Sequence, residues 1–296
     1  MFEEILEFLI LGLVLGGIYA MFAVGLTLIF GVLDIVNVAH GEFLAIGGYA
    51  LYIAMVVLGL PAAVGLVVAP VAVFVLGLGV YPLLIAPLQK RLGRRAPGPL
   101  FLVLTLGLSA LLQNSLLAMA GGEFLSVPPA VKDGLDLSFT YISGQRLLIL
   151  AVAGASLGLL FLFLRFHRQG MAIRAVAQNP AAAQSVGIPL GRIFTLTIAL
   201  ACGLAGLAGA LIAPLFSVYP AVGFTLTIKA FAITILGGMG NLLGALVASL
   251  IIATIEALSV IVIPSEWQNA IAFGTMILVL LVRPQGLFGE KLIDRV

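Results

Sequence analysis

The sequence predicts an all-α, polytopic integral membrane protein, a helical bundle with about eight to ten transmembrane segments, some of them re-entrant or broken. Hydrophobic residues make up 62% of the chain and charged residues only 9%, about a third of the charged share of a soluble domain. Mean hydropathy is +1.28, and several uncharged runs exceed the ~20 residues that a helix needs to cross a bilayer. These observations exclude a water-soluble globular protein. The formal net charge of +2 argues against a disordered chain and a nucleic-acid binder.

The apolar runs place the predicted spans along the chain. The first, residues 8–33, has no charge and follows an acidic segment, which argues against a cleaved signal peptide. After a polar break at 34–42, the uncharged run 43–89 is long enough for two spans joined by a turn at 59–61. Later spans are predicted at 100–122, 147–164 and 193–216, followed by three apolar segments within 224–282. The first of these three is short and carries Lys229, so we expect a half-span or re-entrant element.

Basic residues cluster in three segments that predict the orientation of the bundle. The clusters lie at 90–95, 165–192 and 283–295, and counting spans places all three on one side. The positive-inside rule makes that side cytoplasmic, so we expect an external N-terminus and a cytoplasmic C-terminus. Residues 1–296 then form a single transmembrane domain with an external loop at 123–146 and a cytoplasmic loop at 165–192. Alternating apolar residues in the external loop predict a short strand: Leu135, Leu137, Phe139 and Tyr141.

Glycines four residues apart predict close helix contacts. In lipid, such small residues let helix backbones approach each other. We therefore expect a tightly packed bundle in which three glycine pairs mark helix contacts. The pairs are Gly12 and Gly16, Gly154 and Gly158, and Gly240 and Gly244.

The residue types exclude several kinds of chemistry. Cys202 is the single cysteine, so neither an internal disulfide nor a site with two thiolate ligands can form. No lysine follows a glycine, which excludes a Walker A loop, and the two histidines, His40 and His167, form no HExxH motif. We therefore expect no cofactor and no metal to be bound by this chain, and no ATP hydrolysis by it.

The break between the first two spans is the first candidate for function. It contains Asn37, His40, Gly41 and Glu42. An ordinary interfacial turn would also explain these residues, because polar residues at the ends of spans cost little. A functional role is favoured by the backbone itself, since unwound chain at membrane depth is tolerated only where it lines protein or water.

Two charged residues within predicted spans, Lys229 and Glu256, are the second candidate. A charge inside the bilayer costs several kcal/mol unless it is paired or hydrated. Lys229 lies near the external end of its segment, so snorkelling to the surface would explain it. Glu256 lies deeper. An ion pair between the two residues is the alternative, and the sequence leaves it open.

The cytoplasmic loop at 165–192 is long and contains helix signals, which makes it the third candidate. We expect a first short helix at 171–178 and a second that begins with Asn179 as N-cap and Pro180 at its first position. Gly187 ends the second helix. Two ordered helices in a loop imply a surface for a partner, although a basic loop lying on anionic lipid would have the same composition.

Four stretches of the chain, in order, resemble the permease subunits of branched-chain amino acid ABC importers, and the LivH-type subunit more than the LivM-type. They are residues 37–42 (Asn-Val-Ala-His-Gly-Glu), 174–188, 229–241 and 281–289. The resemblance implies import of branched-chain amino acids through a multi-pass subunit of a prokaryotic plasma (inner) membrane. It implies three kinds of protein partner besides membrane lipid: a second, LivM-like permease, two ABC ATPase subunits that use ATP and Mg²⁺, and an external amino-acid-binding protein.

The resemblance also assigns expected roles to residues. The cytoplasmic loop corresponds to the segment that docks on an ATPase subunit, although Gln178 stands where the family often has an acidic residue. The expected coupling residues are Arg174, Ala175, Gln178, Asn179, Pro180, Ala183, Gly187 and Ile188. The candidates for the translocation path or its gates are Asn37, His40, Gly41, Glu42, Lys229, Gly238, Asn241 and Glu256.

Two alternatives keep the membrane fold and change the function. The first is a secondary amino-acid carrier in which Glu256 or Glu42 binds the coupled H⁺ or Na⁺. The second is an intramembrane hydrolase. The sequence argues against the hydrolase, because it has no serine elbow, no paired aspartates in adjacent spans and no set of metal ligands.

Overall fold

The computed structural model describes residues 2–92, 98–137 and 140–289. Apart from one short hairpin and an isolated bridge, the regular secondary structure of this part of the chain is helical. The helices are α1 Phe2–Leu33, α2 His40–Tyr52, α3 Ala62–Val80, α4 Ala86–Leu92, α5 Gly98–Ala120, α6 Gly144–Phe166, α7 Arg168–Gln178, α8 Pro180–Ser185, α9 Leu190–Ile212, α10 Val222–Gly237, α11 Leu242–Ser259 and α12 Gln268–Val282. A π-helical turn, Ile53–Val57, extends α2, a second, Tyr81–Ile85, joins α3 to α4, and a 3-10 turn, Ser265–Trp267, precedes α12.

The chain is a multi-pass membrane protein, as predicted. Seven helical segments are long and apolar enough to cross a membrane, by length and composition. The helices α10 and α12 are apolar but shorter: the 16 residues of α10 rise about 24 Å, less than the ~30 Å hydrocarbon core. If α10 and α12 also cross the membrane, the number of spans lies within the predicted range of eight to ten. The seven segments are Glu3–Leu33, His40–Val57, Ala62–Arg91, Gly98–Ala120, Gly144–Phe166, Leu190–Ile212 and Leu242–Ser259.

Helix boundaries differ from the prediction at the two ends of the first span. Helix α1 begins at Phe2 and includes the acidic residues that precede the apolar run. It ends at Leu33, where Asp34 adopts a left-handed φ of 55°. The non-helical segment then covers only residues 34–39, because His40 already begins α2. The prediction that His40, Gly41 and Glu42 belong to a polar turn is therefore wrong: they form the first turn of a buried helix.

The hairpin confirms the short strand predicted in the loop between α5 and α6. Strands β1 Gly134–Leu137 and β2 Thr140–Ser143 pair antiparallel, with Leu135 opposite Ile142. Phe139, which was included in the predicted strand, lies outside the described residues. A single bridge between Leu125 and Val218 ties the same loop to the connection between α9 and α10.

Helix α1 runs through the centre of the bundle, between α11 and α9, and glycines permit the closest contacts. Gly12 and Gly16 lie against Thr254 and Leu250 of α11, as the glycine spacing predicted. At Gly154 and Gly158 the prediction is wrong, because a Cβ at either position would have no neighbouring atom of the described chain within 4 Å. The face of α6 that carries these two glycines therefore makes no helix contact with the described part of the chain.

The predicted basic clusters lie at one end of the bundle. The last turn of α1 and the α10–α11 loop meet there, at Gly31 and Gly240. The α3–α4 junction meets the start of α9, where the rings of Tyr81 and Phe194 are 5.4 Å apart. The α6–α9 connection and the segment after α12 lie at the same end. The described basic residues of this end are Lys90, Arg91, Arg165, Arg168, Arg174, Arg192 and Arg283, and those at 94, 95, 291 and 295 lie outside the described residues.

Candidate functional site

One polar cluster in the core joins three helices, and we call it the triad: Tyr19 of α1, Lys229 of α10 and Glu256 of α11. The Lys229 ammonium group forms an ion pair with Glu256 Oε1 and donates a hydrogen bond to the Tyr19 hydroxyl at 3.2 Å. The Tyr19 hydroxyl donates to Glu256 Oε2 at 3.3 Å. Lys229 is only 8% exposed and Glu256 only 3%. Lys229 therefore does not snorkel: the ion pair, which the sequence left open, is formed.

The second polar cluster is the α1–α2 break, which we define as residues 34–39 together with the first turn of α2, residues 40–42. Asn37, His40 and Glu42 are all buried. The His40 ring stacks on Phe22 with centroids 4.8 Å apart, and its Nε2 lies 3.1 Å from the Phe22 carbonyl oxygen. Because that carbonyl can only accept, Nε2 carries the proton and Nδ1 is an acceptor. The break therefore lies inside the bundle, and an interfacial turn does not describe it.

Gly41 lets the first turn of α2 touch the first turn of α10. A Cβ at Gly41 would overlap the Gly223 carbonyl oxygen and the Thr227 hydroxyl, and a Cβ at Gly223 would overlap the Gly41 carbonyl. Only glycine at both positions allows this approach of the two backbones. The contact fixes where α2 begins and, with it, where His40 and Glu42 lie.

Helix α5 presents a polar stripe to the break, which the sequence analysis missed. Its buried residues are Phe101, Thr105 and Ser109, spaced four apart on one face. Ser109 Oγ donates to Glu42 Oε1 at 3.0 Å. Thr105 Oγ1 accepts from the Val38 backbone N–H at 3.2 Å and lies 3.1 Å from the Val36 carbonyl oxygen. The spacing of four between two hydroxyl residues in an apolar span was the signal that could have revealed it.

The break keeps several acceptors without partners. Within the described residues, Asn37 Oδ1, His40 Nδ1 and Glu42 Oε2 are buried and have no hydrogen-bond partner. Buried polar atoms are nearly always paired, because an unmade bond costs about 1–3 kcal/mol. In the triad, by contrast, both carboxylate oxygens of Glu256 are paired. Three of the buried polar atoms without a partner in the described core therefore lie in the break, and the Tyr49 hydroxyl, further along α2, is another.

An aliphatic cleft adjoins the break. Its polar lining residues are Asn37 and Thr105, and it has room for no more than a water molecule, so it is closed in this conformation. The aliphatic lining is Ile29, Ile35, Val80, Leu84, Ile85, Leu104, Leu108 and Ile198.

Two of the predicted path residues, Gly238 and Asn241, have structural roles at the basic end. Gly238 ends α10 with a left-handed φ of 100°, and Asn241 caps α11 by accepting from the Gly244 N–H at 2.9 Å. The Asn241 amide also donates to the Phe288 carbonyl at 3.0 Å, so it holds the segment after α12 against the end of α10. The hydrogen bonds of Asn241 therefore go to α11 and to the segment after α12, and none of them joins it to the α1–α2 break.

The α6–α9 connection folds as two short helices, as predicted, and α7 begins three residues earlier than expected. His167 Nδ1 caps α7 by accepting from the Gln169 N–H at 3.2 Å, which explains the earlier start. Asn179 Oδ1 accepts from the Ala182 N–H at 3.0 Å and caps α8, and Gly187 follows α8 with a φ of 88°. The predicted N-cap and terminating glycine are both confirmed.

The predicted coupling residues divide between the two faces of this helix pair. Helix α7 packs on the bundle through Gly170, Ile173 and Val176, and α8 through Ala183. Ala175 and Ile188 are half-buried. The remaining predicted residues form an exposed surface, which we call the α7–α8 platform: Arg174, Gln178, Asn179, Pro180 and Gly187 together with Val186.

Comparisons with known proteins agree on one family. Residues 8–280 match the family described as branched-chain amino acid transport system, permease component. The permease proteins LivH of Escherichia coli K12 and BraD of Pseudomonas aeruginosa are each 30% identical to the chain, LivH over 96% of both chains and BraD over 98% of both. LivM of Escherichia coli is 27% identical over 91% of this chain and 67% of its own.

These relatives are named as transport permeases, so the chain is a transport subunit and neither an enzyme nor the hydrolase considered above. The ion-coupled carrier is likewise not favoured. No solved structure matches the chain. The chain belongs to the family of branched-chain amino acid transport system permease components.

Proposed function

We propose that the chain is the LivH-type permease subunit of an ABC importer that carries branched-chain amino acids into the cytoplasm of a prokaryote. The names of its relatives supply the substrate class. The complete complex contains a second, LivM-like permease, two ATPase subunits that use ATP and Mg²⁺, and an external amino-acid-binding protein. This chain binds no cofactor of its own.

The α7–α8 platform carries the proposal. The sequence has no Walker A lysine, so the energy of ATP hydrolysis must enter through a contact with another protein. Two short capped helices packed on α1, α6 and α9 can pass the movement of an attached ATPase into the spans. The exposed part of the platform is the contact surface: Arg174, Gln178, Asn179, Pro180, Val186 and Gly187.

The basic end of the bundle supports the proposed orientation. Positive residues favour the cytoplasmic side, and the platform lies at the end that collects them. The opposite end holds the hairpin and an ion pair in which Arg146 Nη1 lies 3.7 Å from Glu7 Oε1. We therefore assign the N-terminus and the hairpin to the external side, where a binding protein delivers the substrate, and the C-terminus to the cytoplasm.

The test is affinity purification of the tagged chain in mild detergent from cells that express the whole system, with mass spectrometry of the bound proteins. We expect a second polytopic permease and an ATPase to be recovered. Val186→Asp, which places a charge on the platform, should release the ATPase and abolish ATP-dependent leucine uptake. Recovery of the chain without any ATPase would contradict the proposal.

A matched control is available at the opposite end of the bundle. Val262 follows α11 and is 84% exposed, close to the 78% of Val186. Val262→Asp should leave ATPase binding unchanged, since it alters the same residue type at the same exposure away from the platform. Equal loss of the ATPase in both variants would show that the platform is not the contact.

A further inference from the structure

The α1–α2 break and α5 meet through polar groups on neighbouring turns of one helix face. Ser109 holds one oxygen of Glu42, and Thr105, one turn earlier, holds the Val38 N–H next to Asn37. One turn of an α-helix rises about 5.4 Å. Glu42 and the backbone on either side of Asn37 therefore lie against adjacent turns of α5, and Asn37 lines the same cleft as Thr105.

The two unpartnered atoms that belong to this face are both acceptors. Asn37 Oδ1 and Glu42 Oε2 have no donor in the described chain. The Ser109 proton is already used on Glu42 Oε1, and the Lys229 ammonium group is engaged in the triad. A buried carboxylate is costly unless positive charge or N–H donors reach it. A ligand that brings both a positive charge and N–H donors would satisfy this face.

We propose that Glu42 and Asn37 receive the ammonium group of the amino acid as it crosses the membrane, with Ser109 positioning the Glu42 carboxylate. The inference rests on the proposed function and names the part of the substrate that this site recognises. An ammonium group brings one positive charge and three N–H donors, which match a carboxylate and an amide oxygen. The cleft beside Asn37 suits the aliphatic side chain of the same substrate once it widens, because its lining is aliphatic except for Asn37 and Thr105.

Helix α5 is the element that moves away from the break to admit the substrate. Glu42 is fully buried, so something must move before a ligand can reach it. Helix α5 covers it and buries only three residues, Phe101, Thr105 and Ser109, along its whole length. Because so little of α5 is packed against the described chain, its separation from the break costs few contacts and exposes Asn37 and Glu42 together.

The first test is leucine uptake by the complete importer in proteoliposomes, with binding protein and ATP supplied. Glu42→Gln keeps the shape of the side chain and removes its charge, and we expect uptake to fall about tenfold or more. Ser109→Ala should lower it about threefold, because it frees the carboxylate that Ser109 positions. Ser115→Ala is the matched control on α5, since Ser115 is exposed and bonds to the Leu111 carbonyl of its own helix. It should leave uptake unchanged.

The second test locates the ligand directly. A leucine analogue with a photoreactive diazirine in its side chain, bound to the complete complex, should label the peptides that line the cleft, first those of α5 and of the segment that contains Asn37. Leucine should compete for labelling, whereas 4-methylpentanoate, which has the same skeleton without the ammonium group, should not. The labelling should be lost in Glu42→Gln.

The outcomes separate the inference from the function on which it rests. If the wild-type complex takes up no leucine, the proposed function fails and the inference with it. If uptake is normal in Glu42→Gln, or labelling persists in that variant, only the inference is overturned. If Glu42→Gln does not assemble, the serine pair decides: equal uptake by Ser109→Ala and Ser115→Ala overturns the inference, and a loss confined to Ser109→Ala supports it.

Discussion

The protein buries two polar clusters in an apolar core, and they differ in how their hydrogen bonds are satisfied. In the triad, Lys229 and Glu256 neutralise each other, and Tyr19 bonds to both. In the α1–α2 break, Asn37 and Glu42 each keep an acceptor that no described residue satisfies. The first cluster is complete within the chain, and the second is not.

This difference assigns the clusters different tasks. A complete, neutral network that ties α1 to α10 and α11 has nothing left to offer a substrate, so the triad holds the bundle together. An incomplete cluster next to a lightly packed helix is costly to the fold and is explained by what it binds. Of the charged path candidates, we therefore propose Glu42 as the one that meets the substrate, and we expect Lys229 and Glu256 to stabilise the bundle.

The largest effect is expected from Glu256→Gln. It leaves the Lys229 ammonium group buried without its carboxylate, which should cost about 3–5 kcal/mol of unfolding free energy. The measurement is thermal unfolding of the purified protein in detergent. The double variant Lys229→Met with Glu256→Met removes both charges and should recover most of the loss. A single variant as stable as the wild type would show that the triad does not hold the helices.

Tyr19→Phe tests how much the third residue of the triad contributes to the unfolding free energy while the ion pair stays in place. Losing a hydrogen bond to a charged group should cost about 1.5–3 kcal/mol, read from the same unfolding experiment. Tyr49→Phe is the control, because the Tyr49 hydroxyl is buried on α2 and has no partner in the described chain. It should cost nothing. Equal destabilisation by both changes would mean that the hydrogen bonds of the Tyr19 hydroxyl do not stabilise the protein and that the hydroxyl only fills space.

Gly41→Ala tests whether the position of the break depends on backbone contact. The new methyl group would overlap the Gly223 carbonyl, and relieving the overlap should cost about 1–3 kcal/mol and displace α2 from α10. We expect a lower unfolding temperature and reduced leucine uptake. Gly154→Ala, on the open face of α6, is the control and should change neither. Unchanged uptake in Gly41→Ala would show that the break tolerates movement of α2.

Local chemistry explains which features could be predicted from the sequence. The apolar runs predicted the spans, and Asn179 with Pro180 and Gly187 predicted both ends of α8, because a cap depends on residues within one turn. Asn37, His40 and Glu42 stood out as polar residues among apolar ones. Each of these signals lies within a few residues of the feature it predicts.

The features that the sequence did not predict depend on which helices contact each other. The roles of Tyr19 and Ser109 follow from partners on other helices. The spacing of Thr105 and Ser109 marks a polar face on α5, but it does not say which helix that face meets. Gly154 and Gly158 have the spacing of a helix contact but no described helix to contact. Snorkelling of Lys229 to the surface was considered because it lies near the external end of its segment, and only the packing of α10 against α1 and α11 places it beside Glu256.

Glu42→Gln compares the two clusters by the same substitution. Glutamine keeps an oxygen to accept from Ser109, and the oxygen it replaces has no partner to lose, so the unfolding free energy should fall by less than about 1 kcal/mol. At Glu256 the same change breaks an ion pair. The two variants are measured side by side. A small loss of unfolding free energy in Glu42→Gln, together with lost transport, would identify Glu42 as part of a ligand site and distinguish it from the structural carboxylate Glu256. If Glu42→Gln destabilises the protein as much as Glu256→Gln does, Glu42 is a second structural carboxylate and the distinction between the clusters fails.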